Sequence, residues 1–92
     1  MTYPAEVGRV VVSGAGRDTD RAFMILGIID AQYVYIADGD LRKIEHPKKK
    51  KLKHLKLTDI VLETIAEKLK NGTKVFDAEI RSAIKSCSDQ GL

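Results

Sequence analysis

The chain has 92 residues, of which 43% are hydrophobic, and a formal net charge of +3. A chain of this length makes one domain able to bury roughly two thirds of its unfolded surface, and its apolar content excludes wholesale disorder. One cysteine, Cys87, excludes an intrachain disulfide, and no apolar run reaches the roughly 18 residues of a membrane helix.

In chain order, "MTYPAEVGR" lacks the basic start and apolar stretch of a secretory signal, which with the lone thiol leads us to expect a cytoplasmic protein. Residues 7–13, "VGRVVVS", are β-branched and predict a strand. "GAGRDTD" (14–20) is a loop built on Gly14 and Gly16. Residues 21–29, "RAFMILGII", predict a second strand, apolar on both faces and so covered on both sides. "DAQ" is a short turn. "YVYIA" (33–37) and "LRKIE" (41–45) predict two more strands, with Asp38-Gly39 as the hairpin turn between them. After Pro47 and the lysines of a basic loop, 46–56, "KHLKL" is a short fifth strand.

The apolar period then changes from two to 3.6. Thr58 is the predicted cap of a first helix, with Leu57 and Leu62 as a hydrophobic staple and Asn71-Gly72 as its end. A second helix starts near Asp77, with Glu79 in its first turn and an apolar stripe of Ile80, Ala83, Ile84 and Cys87. On that stripe Cys87 is a small buried hydrophobe. Strands followed by helices predict an α+β domain over 1–92: a small curled antiparallel β-barrel over 7–57, then a helical hairpin over 58–88.

No catalytic or metal chemistry is legible. "GAGRDTD" has G-x-G, but Thr19 stands at the third glycine position and a strand follows where a dinucleotide site needs a helix. Asp18, Asp20, Asp38 and Asp40 lack the spacing of an EF-hand; turn chemistry and pairing with Arg17, Arg21 or Arg42 account for them. His46, His54 and Cys87 make no zinc pattern. The expectation is a protein that is not an enzyme, with no cofactor and no metal.

Charge distribution is more informative than net charge. Residues 42–56 hold Arg42, Lys43, Lys48, Lys49, Lys50, Lys51, Lys53 and Lys56 against one acid, Glu45, and leave the rest of the chain net negative. Concentrated cations are the footprint of a polyanion partner. The lysines are pinned between a strand and a helix, and loops at one end of a small barrel converge. That would gather Arg17 and Arg21 with Arg42, Lys43 and the lysines on a phosphate-tracking surface. Tyr33 and Tyr35 share one strand face, where core packing is the favoured role over base stacking. With few aromatics, folded RNA read by shape and backbone fits better than single strands.

"VGRVVVSGAGRDTDRAFMILGIID" resembles a KOW motif: apolar alternation, a glycine (Gly16) in a basic loop, then a second apolar strand. With "YVYIADGDLRKIEHPKKKKLKHL" the pattern is similar to small bacterial KOW-domain RNA-binding proteins, relatives of the KOW-containing large-subunit ribosomal proteins of the fourteen-e group. The resemblance covers residues 7 to about 57. It implies an SH3-like barrel that binds RNA, commonly ribosomal RNA, through the loop between the first two strands, a contact that falls here on Arg17 and Arg21. Asp20 departs from the glycine usual in the family, and Phe76 stands where a capping threonine is expected, which leaves Asp77 to cap alone. The expectation is therefore a non-enzymatic RNA-binding, ribosome-associated module. The alternative is a KOW-type protein-interaction module that binds no RNA itself.

Overall fold

The computed structural model describes residues 3–14 and 21–89. Five strands, β1 (Arg9–Ser13), β2 (Ala22–Ile28), β3 (Tyr33–Ala37), β4 (Lys48–Lys51) and β5 (Leu55–Val61), form one antiparallel sheet in the order β4-β3-β2-β1-β5. A single 3-10 turn, Leu52–His54, joins the two edge strands, and helices α1 (Glu63–Lys70) and α2 (Asp77–Asp89) follow. The α+β class is as expected. The sheet has two edges rather than a closed ring of paired strands.

The two-faced character of β2 organises the core. Phe23 and Ile25 pack with Val11, Val34, Ile36 and Leu55 on one face. Met24, flanked by Ala22 and Leu26, packs on the other with Ile65, Val75, Ile80 and Ile84 from the helical half. Phe23, Met24 and Ile25 are each fully buried, so three successive residues of one strand lose all contact with water. Their burial contributes about 6 kcal/mol of hydrophobic stabilisation. Arg9 belongs to this interior as well. Its guanidinium donates to the carbonyls of Pro4 and Thr58 and to the carboxylate of Glu6, and so ties the N-terminal residues to β5.

Three sequence expectations are corrected. Residues 41–45 are not a strand: the Asp38 carboxylate accepts the backbone N–H groups of Asp40 and Arg42, and Ile44 turns into the helix-side core. Such side-chain-to-backbone bonds compete directly with a sheet ladder. The lysine run is not a loop: Lys48–Lys51 is the strand that pairs with β3. The first helix starts at Glu63, not after Thr58. Thr58 lies in β5, where its hydroxyl donates to the Val10 carbonyl. Leu57 and Leu62 go to opposite cores and form no staple.

Asp38-Gly39 also acts differently from a hairpin turn. Gly39 has φ +76° and lies against the first turn of α2, where a Cβ would stand 2.1 Å from the Asp77 carbonyl oxygen. Arg81 donates to the Gly39 carbonyl, and the Asp77 carboxylate accepts the Ile44 N–H. Asp77 is thus occupied by the loop. The cap of α2 comes instead from Glu79, whose carboxylate accepts the Phe76 N–H and pairs with Lys68 of α1. Both contacts favour the charged form, Lys68 more than the Phe76 N–H, and hold the Glu79 carboxyl below its ordinary range.

Two predictions follow from these contacts. Gly72 shares the left-handed φ of Gly39 at +73°, but a Cβ there meets nothing within 4 Å. Gly72→Ala therefore costs about 1 kcal/mol in thermal unfolding, whereas Gly39→Ala costs clearly more, because loop and helix backbone must separate. For Glu79, a lowered folded pKa means that its contribution is present above the unfolded carboxylate pKa and is lost as pH falls through the lowered value. Urea midpoints of Glu79→Gln should lie below those of the parent near neutral pH and approach them as acid protonates the Glu79 carboxyl.

Candidate nucleic-acid interface

The basic residues singled out in the sequence divide into two groups. Arg17 and Gly16 lie outside the described residues. Arg21, at the entry to β2, donates from Nε to Asp38 Oδ2 at 2.7 Å and from Nη2 to Asp40 Oδ2 at 3.1 Å. These carboxylates, the Asp38 hydrogen bond first, raise its pKa and hold it as a structural cation. Arg21, expected to face phosphate, is paired with two aspartates while its side chain stays 39% exposed. Asp38 is only 4% exposed and joins Arg21 to the backbone of the 38–42 loop. Arg42 is half-buried on that loop, and Lys43 is exposed beside it. Gly14, immediately after β1, donates its N–H to the His54 carbonyl and docks the 3-10 turn.

The lysines form the second group, and strand geometry sorts them. In an antiparallel pair, directly opposed residues share a sheet face. Lys48 and Lys50 stand opposite Ile36 and Val34, on the face of the first core, and both are half-buried at its rim. Lys49 and Lys51 stand opposite Tyr35 and Tyr33, on the other face. Their ammonium groups lie 4.7 Å and 5.8 Å from the centre of the Tyr33 ring, within cation–π range.

The cationic row continues beyond β4. Lys51 and Lys53 line a shallow groove with Ala31, Gln32 and Leu52. Lys53 and Lys56 line a larger open groove whose floor is Leu52, Leu55 and Leu57 and whose rim is Tyr3. Lys49, Lys51, Lys53 and Lys56 are therefore linked neighbour to neighbour along the ribbon formed by β4, the 3-10 turn and β5. A carboxylate borders this row at Lys49. Asp30, in the β2–β3 turn, accepts the N–H groups of Gln32 and Tyr33, which together with Lys49 hold it in its charged form.

The tyrosines depart from the expected core role. Tyr33 is half-buried and Tyr35 is 41% exposed. The helix-side cluster takes in Ala22, Met24 and Leu26 of β2 but neither tyrosine, and the register shifts between Ile25 and Gly27, opposite Tyr35. Two sequence signals could have found them. Tyr alternates there with buried Val34 and Ile36, and the lysine run offers a pairing strand of matching length. Comparison with protein-family models and with curated proteins finds no match to this chain.

Asp38 generates the prediction here. Asp38→Ala leaves two backbone donors and the Arg21 guanidinium without their acceptor and should lower stability by about 2–3 kcal/mol in urea unfolding. Asp38→Asn keeps an acceptor for the backbone and should lose clearly less. Equal losses would show that the ion pair, not the loop bonds, holds this corner.

Proposed function

We propose that the protein is a non-enzymatic RNA-binding module whose contact surface is the lysine ribbon of β4, the 3-10 turn and β5. The carrying observation is the neighbour-to-neighbour placement of Lys49, Lys51, Lys53 and Lys56 along the ribbon that runs from β4 through the 3-10 turn into β5. Such a row matches a chain of phosphates, and each lysine is a mobile point charge that replaces condensed counterions. The short β4–β5 link and the burial of the first core without helical cover are what an SH3-like barrel of KOW type requires. The hairpin of β1 and β2, with Val10 opposite Met24, supplies the two apolar strands of the KOW resemblance. On this reading the module serves at the ribosome, in the cytoplasm, and the ribbon of β4, the 3-10 turn and β5 carries the contact.

A protein-interaction role has its own supporting observation. Leu52, Leu55 and Leu57 under Lys53 and Lys56 make an apolar groove with a basic rim, a shape that also suits an acidic peptide. Pull-down before and after nuclease treatment separates the two: a partner retained after nuclease favours the groove.

Salt titration tests the main reading. Four lysines on phosphates predict that affinity for RNA falls about fifty- to one-hundred-and-fifty-fold between about 50 and 200 mM salt. Replacing Lys49, Lys51, Lys53 and Lys56 by Gln should flatten that dependence and weaken binding to all RNAs alike, while Arg21→Gln should leave the slope unchanged. An affinity independent of salt would rule the ribbon out.

A further inference from the structure

We infer that Tyr35, with Tyr33, Lys49 and Lys51, forms a stacking site for unpaired nucleotides on the outer face of β3 and β4. The inference rests on the RNA-binding reading above and names its ligand as single-stranded rather than duplex. The tyrosines are two apart on one strand, so their rings emerge on the same face about 7 Å apart. Lys49 stands directly opposite Tyr35, and Lys51 opposite Tyr33. Both ammonium groups lean toward the Tyr33 ring and leave Tyr35 the more exposed of the two.

The neighbouring strand is shaped to allow this. Gly27 is the cross-strand partner of Tyr35 on the β2 side, and a Cβ there would stand 3.9 Å from Tyr35 Cδ2. Gly27 places no side chain beside the Tyr35 ring, although a Cβ there would make only ordinary contact, and the lysine strand borders the ring on its other side. A base has an aromatic face to stack on, and its phosphate has ammonium groups within a side chain's length. Stacking tolerates any base because every base has a π-face, so the site supplies affinity without sequence preference. A duplex keeps its bases stacked on one another and can offer this surface only its phosphates. The lysines of β4 also discourage another strand from pairing with that edge, which favours use of the face over the edge.

The test uses the full chain and four labelled probes: oligoadenylate, an abasic strand with the same phosphates and an RNA duplex, all of equal length, and a polyglutamate peptide. Fluorescence anisotropy should show oligoadenylate bound about tenfold more tightly than the abasic strand. Tyr35→Ala should abolish that preference, whereas Tyr35→Phe, which keeps the ring, should retain it. Equal binding of oligoadenylate and abasic strand by the parent protein would overturn the stacking site and leave the phosphate ribbon standing. So would a preference for the duplex. A polyglutamate peptide bound as tightly as oligoadenylate would identify a surface for acidic protein and overturn it too. Failure to bind any of the nucleic acids would overturn both this site and the RNA-binding reading.

Discussion

The burial of β2 on both faces is the constraint on which the rest of the structure depends. Phe23 and Ile25 point one way and Met24 the other, and all three are completely removed from water. A sheet with one such central strand needs two covers. The helical half supplies one, through Ile65, Val75, Ile80 and Ile84. No helix contributes to the buried cluster on the other face; Val11, Val34, Ile36 and Leu55 come from the neighbouring strands themselves. The sheet has to curve over its own side chains there, and the three-residue link between its edge strands follows from that curvature.

The same requirement explains why a run of four lysines forms a strand. β3 carries buried Val34 and Ile36, and its outer edge needs a hydrogen-bonding partner. Lysine is tolerated on edge strands because its stem covers apolar surface while its ammonium group reaches water. The pleat then divides the run: Lys48 and Lys50 border the core, while Lys49 and Lys51 join the tyrosines. One segment thus completes the sheet and bears the cations of the proposed contact surface, so the fold itself sets the spacing of those cations.

Asp38 does comparable work for the loop after β3. Buried at the corner of β2, β3 and α2, its carboxylate holds Arg21 and two backbone N–H groups. Gly39 beside it lets the loop touch α2, and Asp77 of that helix returns a hydrogen bond to Ile44. An arginine placed by sequence beside a basic loop is consumed by this junction. The polar groups that join sheet to helices are consequently distinct from the lysines of the proposed contact surface.

The sequence by itself determined the α+β order, the first three strands, the double burial of β2, the Asp30 turn and the start of the second helix. Each of these is written in local periodicity or turn chemistry. It also showed that positive charge is concentrated in residues 42–56. Only the tertiary structure decided which of those cations stand together. Local pattern favoured a strand at "LRKIE", but a carboxylate buried four residues earlier captured its backbone. Thr58 has the chemistry of a helix cap, yet the unpaired edge of β1 drew it into β5. Tyr33 and Tyr35 look like core residues until the helices are seen to end short of them. In each case the outcome turned on a partner distant in the chain, and pairing of that kind leaves no mark in the residues nearby.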